Sequence, residues 1–263
     1  MHNFALTKWY LDCVGLDGST AIAYWTEIAW RGLAITWHSL GVHRSGADAL
    51  DRSSARAVPA PRRSNDTILW QSDPLNCRLT CQAFVPAFAQ RLLDTDTGTL
   101  DWRCEAAAGD VLVECDGREV VRGRGYAECL SMTLPPWRLP IDELRWGRWI
   151  SDVPGGSMVW IDWRGSHPLT AIFVDGRATA VGAVGDEIID AGGTTLTLHD
   201  RHTLYSRSLV ETIGPLRPVL APLLPHSWLA LEDGKWRSRG TRSTAGGPEA
   251  EGWVIHETVR FPR

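Results

Sequence analysis

Short apolar runs broken by turn residues at roughly ten-residue intervals constrain this chain more than any other feature. KWYLDCVG (8–15) leads into a turn at LDGST and then into AIAYWTEIAWRGLAITWHSL (21–40). TILWQSD, CRLTCQAFV and LDWRCEAAAGDVLVECDGREVVRGRGYAECLSMTL carry the pattern to residue 134. RWGRWIS, SMVWIDWRG, LTAIFVDGRA, GAVGDEIIDAG and GTTLTLHDRHTLYSRSLVETI repeat it in the second half. The spacers hold Asp-Gly, Asp-Pro and Gly-Asp, which supply the backbone conformations that tight hairpins need. No helical run reaches the length that a parallel βαβ sheet requires, and no glycine-rich phosphate loop follows a strand. The predicted class is therefore all-β, an antiparallel barrel or sandwich with few short helices. A chain of 263 residues has room for one large β-domain or for two units of about 130 each; two units would fall at 1–135 and 136–263.

Four stretches depart from the strand pattern. PAFAQRLL (86–93) reads as a short helix, and LPIDELRW (139–146) as a helical turn with proline near its start. Residues 43–66, rich in Ser, Ala, Arg, Asp and Pro, read as a surface loop or a lid over a cavity mouth. Residues 215–236 hold four prolines and read as a connector with room for one helical turn.

The net charge of −4 and pI near 6.1 leave no electrostatic footprint for nucleic acid. No window approaches the roughly 18 apolar residues of a membrane helix. The opening MHNFALTKWYLD lacks the features of a secretory signal, so a cytoplasmic protein is expected, with peripheral membrane association allowed. The six cysteines then read as reduced, buried thiols. Cys77 and Cys81 share a strand face but have no second pair at metal-ligand spacing, so no metal is expected. No nucleophile elbow and no H-E-x-x-H occurs, which disfavours covalent and zinc hydrolases.

Fourteen Trp stand against five Phe and four Tyr. An indole offers a large flat apolar face and a single N–H that needs a partner when buried. Trp clusters mixed with a few carboxylates suggest a β-walled cavity for an apolar small molecule. Trp25, Trp37, Trp137, Trp146, Trp149 and Trp160 are the candidate lining residues, with Glu27 and His38 the ionisable residues of the first Trp-rich hairpin. His38 fits a hydrogen-bonded structural histidine as well as a site residue. On a strand, Tyr126 and Glu128 share one face. A carboxyl among aromatic rings has its charged form disfavoured and becomes a competent proton donor. Asp162, between Trp160 and Trp163, is the second candidate acid, since strands disfavour Asp. His199 and His202, with Asp200 between them, read as a turn, and of His256 and Glu257 only one can point inward.

The elements G-x-G-Y-A-E (123–128), L-x-W-G-R-W (144–149), V-W-I-D (159–162) and V-D-G (174–176) resemble the central segment of the carotenoid 1,2-hydratase superfamily. That lipocalin-like group also holds tocopherol cyclase-type proteins and fungal Diels–Alderases. K-W-Y-L-D-C-V (8–14) is similar to the group's opening strand, and G-W-V-I-H-E-T-V (252–259) to its closing one. Cys129-Leu130-Ser131-Met132 stands where hydratase-like members carry a polar H/N-W-G, a departure from the pattern. The resemblance implies two lipocalin-like units and cofactor-free chemistry on a terpenoid or polyene. Three functions stay open at this point. One is a cyclase or hydratase started by alkene protonation, with Trp faces holding the carbocation. The second is a pericyclic cyclase in which Tyr126 or an indole N–H polarises a carbonyl. The third is a non-catalytic carrier of an apolar ligand.

Overall fold

The computed structural model describes residues 4–44, 49–153, 155–208, 211, 225 and 231–261. The chain divides into two compact units, Met1–Pro135 and Pro136–Arg263. Unit 1 contains β1 (Phe4–Gly15), β2 (Thr20–Trp30), β3 (Leu33–His43), β4 (Leu50–Ser54), β5 (Arg62–Ser64), β6 (Thr67–Ser72), β7 (Cys77–Ala83), β8 (Phe88–Thr95), β9 (Gly98–Cys115) and β10 (Arg118–Met132). They form one antiparallel sheet in the order β4-β3-β2-β1-β10-β9-β7-β6-β5, with β8 added on β9. Unit 2 contains β11 (Glu143–Ser151), β12 (Ser157–Arg164), β13 (Leu169–Val174), β14 (Arg177–Ala178), β15 (Ala183–Val184), β16 (Ile188–Asp190), β17 (Thr194–Ser208), β18 (Glu232–Thr244) and β19 (Ala250–Arg260). Their order, β14-β13-β12-β11-β19-β18-β17-β16-β15, repeats the plan of unit 1: the first strand of the unit pairs with its last. Two lipocalin-like antiparallel β-units are thus the architecture of the chain.

The hairpins follow local chemistry. Asp116-Gly117 and Asp175-Gly176 both have positive φ at each residue, as does Arg31-Gly32 between β2 and β3. That is the backbone of a two-residue turn whose twist matches the flanking strands. Two expected helices are instead extended. Residues 88–95 pair with β9 as β8, because edge pairing satisfies more backbone groups than one isolated helical turn. Residues 136–138 form a 3₁₀ turn, and β11 begins at Glu143 inside the expected helical turn. The 43–66 segment contributes β4 and β5 to the sheet rather than a free loop, with residues 45–48 outside the described residues. Most of 215–231 also lies outside them, and residues 232–236 open β18. His199 and His202 lie in β17 at a register shift around Asp200, whose φ is 51°.

One face of unit 1 packs Trp9, Leu11, Trp25, Leu40, Trp70 and Val113 into an apolar core. Unit 2 packs Trp149, Met158, Trp160, Ile172, Leu196 and Val254 in the same way. Each buried indole removes ~150–250 Å² from water, worth roughly 4–6 kcal/mol before entropic losses. The N–H groups of Trp25 and Trp149 donate to the main-chain oxygens of Val58 (3.0 Å) and Gly240 (2.9 Å), which offsets the cost of burying them.

Gly123 and Gly125 have a steric reason. A Cβ at Gly123 would lie 1.9 Å from the carbonyl oxygen of Val14, and one at Gly125 2.0 Å from that of Asp12. β10 crosses β1 too closely for any side chain there. We predict that Gly125→Ala lowers stability by about 2 kcal/mol or more, read as a lower urea midpoint at unchanged slope. A wild-type midpoint would contradict the close approach.

Candidate functional site

The β1–β10 register sets Tyr10 opposite Glu128 and Asp12 opposite Tyr126. Within each strand the aromatic hydroxyl and the carboxyl are two residues apart, so they share a face. Tyr10 Oη donates to Asp12 Oδ2 at 2.9 Å, and Tyr126 Oη donates to Glu128 Oε2 at 2.7 Å. From β9, Trp102 Nε1 donates to the same Glu128 Oε2 at 2.6 Å. Tyr24 on β2 stacks 5.3 Å from Tyr10, Tyr126 lies 6.2 Å from it, and Phe88 meets Trp102 edge-on at 5.4 Å. Lys8 Nζ stands 5.1 Å over the Tyr24 ring.

This cluster occupies the face of the sheet opposite the Trp9–Trp25–Trp70 core. Tyr10, Asp12, Trp102, Cys104 and Tyr126 are all buried, while Glu128 is half-buried. Burial pushes the Tyr126 hydroxyl well above its usual range, with the nearby Cys104 and Glu128 charges acting the same way. Tyr126 therefore keeps its proton and serves as a donor. The outcome is a carboxyl held by two neutral donors inside an aromatic surround.

Of the residues singled out in the sequence, Glu128 and Tyr126 stand together here. Tyr10, Asp12 and Trp102 were missed; the repeated Tyr-x-Asp and Tyr-x-Glu spacing at 10–12 and 126–128 is the signal that could have found them. The other candidates lie elsewhere. Trp25, Trp149 and Trp160 are interior members of the two apolar cores. Trp146, on the opposite face of β11 from Trp149, is buried beneath Lys235 Nζ at 5.0 Å. Glu27 is exposed, and Trp37 and Trp137 are half-buried. His38 is fully buried beside Trp70, 6.1 Å ring to ring, with neither ring nitrogen hydrogen-bonded among the described residues. The hydrogen-bonded histidine expected at this position is thus not found, and burial keeps its pKa below the usual value.

Asp162 has a different setting from Glu128. Its Oδ2 accepts from Arg164 Nε at 3.0 Å and its Oδ1 from Thr170 Oγ1 at 2.6 Å. Glu143 adds contacts to Arg145 (2.7 Å) and Arg164 (3.4 Å), making an ion-pair network across β11 and β12. Both oxygens of Asp162 are engaged in holding that network.

No family model matches the chain, and no curated protein matches it in sequence. Solved structures do. CghA with Sch210972 superposes with a TM-score of 0.62 at 11% identity, covering 98% of this chain and 89% of that one. Kievitone hydratase from Nectria haematococca gives 0.55 at 5% identity, covering 97% and 88%. A candidate AttH from Nitrosomonas europaea gives 0.51 at 9%, covering 99% and 93%. At these identities the likeness is one of fold, and it is the two-unit lipocalin-like fold that the sequence motifs suggested.

In unit 2, His256 lies on the face of β19 that carries Val254, and Glu257 on the opposite face. His256 Nε2 lies 2.9 Å from Ser238 Oγ and its ring 5.4 Å from Trp236. Burial lowers its pKa to about 3, and the charges of Arg201 and Lys235 push the same way. Glu257 pairs with the fully buried Lys235. Burial alone would lower the Lys235 pKa, but Glu257, Tyr205 and Asp233 outweigh it and hold the ammonium charged. The folded chain thus resists a proton on His256 that the unfolded chain accepts below its ordinary value of 6.5. The stabilising contribution is complete above that pH and is lost as pH falls from 6.5 towards 3, by up to about 1.4 kcal/mol per pH unit. His256→Gln should flatten this part of the profile, measured as the difference in urea midpoints between wild type and variant from pH 7.5 to 4.5. Parallel profiles would show that His256 is not the titrating group.

Proposed function

We propose that the chain is a cofactor-independent enzyme that cyclises or hydrates an apolar polyene or prenylated molecule, with Glu128 as the proton-transferring carboxyl. The observation that carries this reading is the convergence of Tyr126 O–H and Trp102 N–H on one oxygen of Glu128 inside a nest of aromatic rings. A sheet needs no such group for stability: apolar residues of similar volume would pack there at no loss. A carboxyl so placed, with a partner network that fixes its plane, is the arrangement expected of an acid–base catalyst. A fold that also houses kievitone hydratase supports the reading.

In this mechanism the Glu128 proton passes to one alkene carbon, the π pair forming the new C–H bond. The cation left on the adjacent carbon lies against the ring faces of Tyr10, Tyr24, Tyr126 and Trp102, each contributing roughly 0.5–2 kcal/mol. In cyclisation a second double bond attacks the cation, and loss of a proton to Glu128 restores the carboxylic acid. In hydration water attacks and its proton returns to the same carboxylate. Tyr126 and Trp102 orient Glu128 throughout. Asp162, with both oxygens engaged, has no part in the proton transfer.

The paired donors favour one second reading. The same Tyr126 and Trp102 hydrogens, turned to a substrate carbonyl, would polarise it for a pericyclic closure with no net protonation.

Turnover of linear prenyl and polyene substrates in deuterium oxide separates the two. One non-exchangeable deuterium in the product is the expected result. Glu128→Gln should lower kcat at least 1,000-fold, and Tyr126→Phe 10- to 100-fold, while Asp162→Asn leaves deuterium incorporation intact. An unlabelled product formed at near wild-type rate by Glu128→Gln would transfer the assignment to the pericyclic reading. Tight binding without product would make the protein a carrier.

A further inference from the structure

The face of the sheet that holds the Glu128 cluster also carries a cation. Lys8 stands two residues before Tyr10 on β1 and therefore points to the same side. The strand register sets it in a row with Trp37 on β3, Thr26 on β2, Leu130 on β10 and Trp102 on β9. Every other member of that row is uncharged. The next row outward, Ile35, Ile28, Leu6 and Met132, is apolar throughout. Lys8 is thus a single positive charge set into an apolar and aromatic surface.

Its surroundings leave that charge available. Lys8 is half-buried, and its Nζ lies 5.1 Å over the Tyr24 ring. Among the described residues its ammonium has neither an ion pair nor a hydrogen bond. Glu128 stands diagonally across from it on β10, and diagonal neighbours are about 7–8 Å apart. The ammonium turns instead to Tyr24, on β2 at the other side of β1. A cation loses hydration at such a surface, and contact with one ring face offsets only part of the cost. An apolar binding surface, by contrast, needs a few placed polar groups to orient its guest. A lysine ammonium is a compact point charge suited to an anionic oxygen. Leu6, Ile28, Ile35 and Trp37 are only half-buried, so this flank of the cluster keeps solvent access.

Resting on the reading of Glu128 as the reacting carboxyl, we propose that Lys8 binds a carboxylate carried by the apolar molecule on which Glu128 acts. The substrate class is then a polyene or prenyl acid rather than a neutral hydrocarbon. The diagonal placement of Lys8 and Glu128 sets the charged head and the reacting alkene on neighbouring segments of one chain.

Equilibrium binding of linear polyene and prenyl acids to the full chain, compared with their methyl esters, tests this without any need for turnover. The acid is expected to bind about tenfold or more tightly than its ester, and 0.5 M NaCl should weaken the acid alone. Lys8→Met keeps the apolar stem, so it should remove the preference by weakening the acid while the ester binds as before. Lys8→Arg should retain most of the preference. Equal affinities of acid and ester for the wild-type chain would leave Lys8 a solvated cation packed on Tyr24 and overturn the proposal. A preference that survives Lys8→Met, or no binding by either compound, would overturn it as well. Glu128→Gln should leave the acid preference in place. A Lys8-dependent preference in a chain that incorporates no deuterium would sink the catalytic reading alone. Deuterium incorporation with acid and ester bound equally would sink this one alone.

Discussion

The pairing of the first strand of each unit with its last is the constraint on which the rest depends. In unit 1 it joins β1 to β10 across more than a hundred residues, and in unit 2 it joins β11 to β19. Such contacts are entropically slow to form, and their register matters at every position. A slip of β1 by one residue would turn Tyr10 and Asp12 into the apolar core, away from Glu128, and turn Trp9, Leu11 and Cys13 out of it. Gly123 and Gly125 help forbid the slip, because only they allow the backbones to come as near as they do. The same residues that close the sheet thereby hold the aromatic–carboxyl cluster together.

Two carboxylates placed among tryptophans in the sequence have opposite surroundings. Asp162 is bound by a guanidinium and a hydroxyl, within a network that includes a second arginine. Glu128 Oε2 accepts from one phenol and one indole. That contrast is invisible in the flanking letters W-I-D-W and Y-A-E.

Much of the architecture was legible in the sequence because its signals are local. Asp-Gly pairs bounded by apolar runs give the hairpins at 116–117 and 175–176, and the Trp30–Leu33 turn was marked by Arg31-Gly32. Residues 88–95 misled because Phe88, Leu92 and Leu93 fit a helical stripe as well as a bulged strand; only pairing with β9 decides between them. The site was half legible. Tyr126 and Glu128 share a face by parity, but Asp12 and Trp102 belong to it only through cross-strand register, which no local pattern reports. The tryptophans were the hardest to sort. β1, β11 and β12 are buried on both faces along much of their length, so alternation of polar and apolar residues does not tell a core indole from one near the cluster.

All six cysteines, Cys13, Cys77, Cys81, Cys104, Cys115 and Cys129, fall in unit 1, and all are free and buried. Burial pushes Cys77 and Cys81 up to about 12, so almost no thiolate exists there at neutral pH. The native chain is consequently shielded from alkylating reagents and from air oxidation. Opening of unit 1 would release six reactive groups together, and opening of unit 2 would release none. Thiol-modification kinetics therefore give each molecule a chemical clock for the integrity of its first unit alone, with no label or probe added to the sequence.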